Sequence, residues 1–244
     1  MFSPKALEAQ STLRNEKITH LLHFLRRKQG EVIDIQDVEL FVAGTNSITS
    51  TVIWAMSELV RNPEVLSKIE EEMKKEIKTQ DIKHFQLTKL TYLQACMKEV
   101  FRLHPVVPFL IPHMATENCE VMNYLIPKNA KILVNVWAMG RDSKIWDEPL
   151  SFKPERFLDS KMDFKGQDFE LLPFGSGRRM CPGLPSALNS VQLLLASLIQ
   201  EFDWTLANGD DPSKLDMNGN FGIALKREIP LKLVFKQKQA YECA

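Results

Sequence analysis

Proline divides this chain into two unlike parts. Only Pro4 and Pro63 precede position 105, whereas the other eleven of the 13 prolines lie between Pro105 and Pro230. Proline lacks a backbone N–H and breaks a helix interior, so long helices are confined to the first part and to proline-free gaps in the second. In the first part Leu13, Ile18, Leu21, Leu22 and Leu25 recur at helical spacing, and the run closes at Gly30. A longer helix is predicted over 35–59 through Val38, Phe41, Val42, Ile48, Val52 and Met56, stopping before Asn62-Pro63. Residues 64–77 and 87–103 read as amphipathic helices, the second ended by His104-Pro105.

After Pro105 the character changes. Pro108, Pro112 and Pro127 punctuate short apolar runs such as 131–136, which read as strands of a small sheet. Pro149, Pro154, Pro173, Pro182 and Pro185, with Gly166, Gly175, Gly177 and Gly183, mark a long irregular stretch of the kind that usually carries function. A last helix puts Leu188, Val191, Leu194, Leu195, Leu198, Ile199 and Phe202 on one face, and the apolar runs 221–225 and 231–235 suggest a hairpin. The expected fold class is mainly α with small β-sheets, in a single domain over 1–244.

Composition narrows the partners. The 31 Lys and Arg are balanced by 31 Asp and Glu, so no net field attracts a polyanion and nucleic acid is not expected. Cys96, Cys119, Cys181 and Cys243 form no CxxC pair, which disfavours a zinc ribbon or a disulfide scaffold and suits a reducing compartment. Two charge-free stretches, 40–57 and 180–200, fail as membrane spans, the first because of its Ser, Thr and Asn content and the second because of Pro182 and Pro185. The start has no signal-peptide core, so the chain read literally is soluble and not secreted. His20, His23, His84 and His104 share no ligand spacing and default to surface or capping roles.

The segment 172–183, Leu-Pro-Phe-Gly-Ser-Gly-Arg-Arg-Met-Cys-Pro-Gly, presents Cys181 just before the amino-terminus of the last helix. Helix-start amides and Arg178 and Arg179 favour a thiolate there, and the glycines let backbone approach a flat ligand closely. An isolated cysteine is more often a buried structural one, and a nucleophilic role lacks a histidine nearby in sequence. The loop as a whole resembles the haem-binding signature of the cytochrome P450 family, F-x-x-G-x-R-x-C-x-G, with Phe174, Gly177, Arg179, Cys181 and Gly183 filling every fixed position.

Further landmarks follow in the family's order. Glu99 and Arg102 match E-x-x-R, whose spacing of three places both charges on one helix face. Trp146, Pro149, Phe152, Pro154, Glu155, Arg156 and Phe157 match W-x-x-P-x-x-F-x-P-E-R-F, so the resemblance implies a structural cluster of Glu99, Arg102 and Arg156. Ala43-Gly44-Thr45-Asn46-Ser47 is similar to A-G-x-D/E-T, with Asn46 replacing an acid and Ser47 a threonine. Ala43 and Gly44 are implied contacts of the haem's oxygen side, and Asn46 and Ser47 are the implied catalytic pair governing proton supply. The flanking Phe41, Val42, Ile48, Val52 and Trp54 lead us to expect burial of this polar centre. Val106, Val107, Phe109 and Leu110, together with Phe221, are the implied substrate contacts, and His113 and Arg179 the implied propionate partners.

The resemblance spans about 35–235 and corresponds to the carboxy-terminal half of the family fold, with the amino-terminal half expected to be absent. It implies haem held by Cys181 as axial iron ligand, Phe174 shielding the sulfur, O2 as co-substrate and electrons from NADPH through a reductase. The loop wording is similar to plant microsomal members that oxidise terpenoids or alkaloids. By family analogy alone the location is the cytosolic face of the endoplasmic reticulum membrane, although this chain is expected to lack the anchor. Two readings stay open. One is a monooxygenase that hydroxylates or oxidatively couples a small lipophilic substrate, and the other is a truncated, non-catalytic remnant that at most binds haem or a partner.

Overall fold

The computed structural model describes residues 11–34, 46–77, 82 and 84–238. Among the described residues five helices come first: α1 (Ser11–Arg27), α2 (Asn46–Arg61), α3 (Pro63–Glu76), the single turn α4 (His84–Leu87) and α5 (Thr91–Leu103). Residues 35–45 of the expected long helix lie outside the described residues. The helix predicted over 87–103 is interrupted by a turn at 88–90, and Leu90 offers no side-chain cap to α5. Glu72 of α3 supplies one instead, its carboxylate accepting from Thr91 Oγ1 at 3.0 Å and from the backbone N–H groups of Tyr92 at 2.7 Å and Leu93 at 3.0 Å. Amides that a helix start leaves unpaired are thereby satisfied from a neighbouring element.

Helix α7 (Leu184–Glu201) is the centre of the packing, with Pro185 in its first turn where a missing N–H costs nothing. Its Val191, Leu194, Leu195 and Leu198 join Leu25 of α1, Val52 and Met56 of α2, Ile69 of α3 and Leu93 and Val100 of α5 in one core. The chain leaves α7 directly into strand β6 (Phe202–Leu206), where Phe202, Trp204 and Leu206 alternate inward.

The expected hairpin between 221–225 and 231–235 does not form. Strand β9 (Lys232–Gln237) lies instead between β6 and the short β1 (Ile33–Asp34), antiparallel to both, with Trp204 opposite Phe235 and Ile33 opposite Leu233. The alternating apolar residues of β6 and β9 match in register, and Trp204 and Phe235 meet with ring centres 5.2 Å apart. Residues 221–225 connect a different pair, β7 (Gly219–Asn220) and β8 (Lys226–Arg227).

Between α5 and α7 two small hairpins pair β2 (His113–Met114) with β5 (Lys131–Ile132), and β3 (Cys119–Val121) with β4 (Tyr124–Ile126). Met122 and Asn123 turn the second with φ of 51° and 66°, the left-handed pair that a two-residue hairpin requires. The strand expected over 131–136 stops early, because the Asn135 side chain accepts the Ala138 N–H at 3.0 Å and starts the turn α6 (Val136–Met139). A meander follows, passing through a 3-10 turn at Pro154–Phe157. It reaches α5 closely: a Cβ on Gly140 would stand 2.2 Å from the carbonyl oxygen of Arg102, so only glycine fits.

Candidate functional site

The cysteine loop is shaped by its own backbone. Gly175 and Gly177 adopt φ of 74° and 65°, the Gly175 N–H donates to the Leu172 carbonyl at 3.1 Å, and the Cys181 N–H donates to the Phe174 carbonyl at 2.9 Å. The hydroxyl of Ser176 ties the loop to the meander through the Gly166 carbonyl at 2.7 Å. Phe174 turns its ring inward, with centres 5.1 Å from Phe101 and 5.8 Å from Phe164, edge to face in both cases. This anchors the loop to α5 while leaving Cys181 exposed, two residues before Gly183 at the start of α7. Cys96 shows the contrast: it is buried in α5, and burial pushes its thiol well above the ordinary range.

Beside the loop, α5 and the meander enclose an ionic cluster. Glu99 accepts from Arg102 Nε at 2.7 Å and Nη2 at 2.8 Å, from Arg156 Nε at 3.1 Å and from the Lys153 backbone N–H at 2.8 Å. Arg102 also donates to the carbonyls of Gly140, Pro149 (2.7 Å) and Ser151 (3.1 Å). The Glu99 and Arg102 side chains are fully buried, so each neutralises the other where neither could stand alone. The three meander carbonyls were not readable from sequence, since they are backbone groups of an irregular segment.

The other sequence-derived candidates divide. Ala43 and Gly44 lie outside the described residues, and Asn46 opens α2. Ser47 is exposed, against the burial expected from its apolar neighbours; those neighbours, Ile48 and Val52, face the core from other sides of the helix. Val106 is buried and its carbonyl accepts the Leu225 N–H at 2.7 Å, which joins the 106–110 segment to the turn carrying Phe221. Val107 is half-buried and accepts from the Leu110 N–H at 3.1 Å, and Leu110 reaches the cysteine loop, where a Cβ on Gly175 would touch it at 3.7 Å. Phe109, Phe221, His113 and Arg179 are exposed. Among the described residues neither the His113 nor the Arg179 side chain forms an ion pair, and both face outward.

Two aromatic groupings join residues with no shared local pattern. His104, expected at the surface or as a cap, is buried as the residue that ends α5, stacked on Trp54 at 4.1 Å and hydrogen-bonded to Glu58 at 2.7 Å. Complete burial lowers its affinity for a proton, Arg141 and Arg227 lower it further, and Glu58 opposes them. Trp137 of α6 packs edge to face on Phe221 with ring centres 5.4 Å apart. A helix interrupted by a lone His and Glu at distant positions gave no local signal for the first, and a four-residue turn gave none for the second.

A family model described as Cytochrome P450 matches residues 3–235, beginning well before the motifs themselves. A probable (S)-N-methylcoclaurine 3'-hydroxylase isozyme 2 of Coptis japonica is 51% identical over 201 residues, covering 82% of this chain and 41% of that protein. A geraniol 8-hydroxylase of Catharanthus roseus is 44% identical over 232 residues, covering 86% and 47%. Among solved structures, a zebrafish cytochrome P450 with progesterone superimposes with a TM-score of 0.69 at 31% identity, over 82% of this chain and 44% of that one. The chain thus spans less than half the length of the relatives it matches. With the family model spanning nearly its whole length, this chain belongs to the cytochrome P450 family.

Proposed function

We propose that the chain carries the thiolate side of a haem monooxygenase that hydroxylates a small lipophilic compound of the terpenoid or alkaloid class. The observation that carries the reading is Cys181: an exposed sulfur in a glycine-shaped loop, its backbone N–H fixed to Phe174, immediately before a helix. The donor set fits a haem. Gly177 has open space around it for a flat macrocycle, and Arg179 and His113 are exposed N–H donors suited to propionates.

A bound haem would supply one-electron and O2 chemistry, and a thiolate ligand favours O–O cleavage. The chain's own residues set its surroundings. Cys181 would ligate the iron, and Phe174 would back the sulfur through its packing on Phe101. Glu99, Arg102 and Arg156 would hold the meander and the loop at a fixed spacing. Ser47 would supply a hydroxyl for proton delivery, with less rotamer restriction than a threonine. Val106, Val107, Phe109, Leu110 and Phe221 would offer apolar contact to substrate, and NADPH through a reductase would supply electrons. The named substrates of the relatives, an alkaloid and a monoterpenol, support this choice of class.

A carbon monoxide difference spectrum of the reduced, haem-reconstituted chain tests the ligand. A thiolate-type band that vanishes in Cys181→Ala is expected; a band that persists in Cys181→Ala removes the assignment. A second reading, haem or partner binding without turnover, is favoured by the exposure of Phe109 and Phe221, both offered as substrate contacts. It is separated by adding NADPH, reductase and geraniol: product supports the enzyme, whereas a thiolate band without product supports the second reading.

A further inference from the structure

We infer that Trp137 is a specificity-determining positioning residue, holding the Phe221 ring at the wall against which a lipophilic substrate packs. The inference rests on the proposed monooxygenase reading and adds a residue that its motifs do not contain.

The turn carrying Phe221 is firmly held at its base. Gly219 pairs with Arg227, and a Cβ on Gly219 would overlap Leu225 at 2.7 Å and touch Trp54 at 3.5 Å. Trp54 Nε1 donates to the Leu225 carbonyl at 3.3 Å, and the Leu225 N–H donates to Val106 at 2.7 Å. None of these contacts reaches the Phe221 ring, which is half-exposed at the tip. Its aromatic partner among the described residues is Trp137.

Trp137 is itself fixed from several directions. Its backbone N–H donates to the Pro108 carbonyl at 3.1 Å, which places it against the segment carrying Phe109 and Leu110. The guanidinium of Arg141 lies over the indole, 4.2 Å from the ring centre, and Arg141 Nη1 reaches the Trp137 carbonyl at 3.4 Å. An indole pinned in this way has one orientation to offer, and a phenyl ring meeting it edge-on is fixed in turn. Both segments therefore meet at one residue: 106–110 at the Trp137 backbone N–H and Phe221 at the Trp137 ring, and only the second contact depends on the indole.

The test uses the haem-reconstituted chain, its Trp137→Leu, Trp137→Phe and Phe221→Ala variants, and the double variant of Trp137→Leu with Phe221→Ala. Carbon monoxide spectra establish the haem centre, geraniol-induced spectral shifts give affinity, and NMR of labelled phenylalanine follows the Phe221 ring. Trp137→Leu is expected to weaken geraniol binding about tenfold with the carbon monoxide band unchanged. Trp137→Phe should restore most of the affinity, and Phe221→Ala should match Trp137→Leu, with the double variant no worse than either. The Phe221 resonances should lose their ring-current shift in Trp137→Leu. Unchanged affinity in a variant whose band is intact overturns the inference, as does full additivity in the double variant. If the parent chain yields no thiolate band, the monooxygenase reading fails by itself. Positioning is then decided by the Phe221 resonances, whose constancy in Trp137→Leu overturns it and whose shift supports it. Phe221→Ala, at an exposed tip, supplies the affinity arm should Trp137→Leu not fold.

Discussion

Arg102 and Arg179 carry the same guanidinium in opposite surroundings. Arg102 is 1% exposed and its donors are taken up by Glu99 and three meander carbonyls. Arg179 stands exposed on a 3-10 turn and pairs with no acidic group among the described residues. The region around α5 is thus satisfied internally, whereas the cysteine loop, anchored inward by Phe174, leaves Arg178, Arg179 and Cys181 exposed. A buried charge in the first region bears on folding, and a side chain in the second bears on what binds there.

The comparison breaks most readily at Arg102. Arg102→Ala leaves the Glu99 carboxylate buried with only part of its partners, and should cost about 3–5 kcal/mol of stability in urea unfolding. A loss no larger than that of a surface substitution would show that the cluster is not buried in solution. A smaller effect is expected at His104, which caps the carboxy-terminal end of the same helix. Its proton affinity is lowered in the folded chain, so the unfolded chain takes up the proton first as pH falls. Stability is then fully present above the ordinary histidine value of about 6.5 and declines below it by up to about 1.4 kcal/mol per pH unit. Unfolding midpoints of the parent and of His104→Gln should diverge in that window, and parallel profiles would contradict the assignment. The smallest change in folding belongs to Cys181→Ala, within about 0.5 kcal/mol because the side chain is exposed. Calorimetry that found Cys181→Ala strongly destabilised would erase the distinction between the two regions.

Sequence revealed most where a function-bearing pattern is local. The residues from Phe174 to Gly183 lie within one loop, and Glu99 and Arg102 are one helical turn apart, so each forms a local pattern that the family resemblance could match. Arg156 was reached only through a resemblance, because nothing local joins it to Glu99 across the meander. Strand β9 pairs with β6 and β1 rather than with the preceding apolar run for a related reason. Its pairing depends on register with β6, and Phe202, Trp204 and Leu206 already alternate with a period of two at the end of a helical run. That change of period was the available signal. The Trp54, His104 and Glu58 stack and the Trp137 contact with Phe221 join residues far apart in sequence, and no spacing rule predicts them. The burial expected of Ser47 failed because apolar neighbours one position away on a helix point elsewhere.

Gly140 sets a tolerance for everything beyond it. An added methyl there would meet the Arg102 carbonyl, a backbone atom of α5 that no rotamer change can move aside. The gap between helix and meander is therefore one hydrogen atom wide, and the arginine reaching across it inherits that gauge.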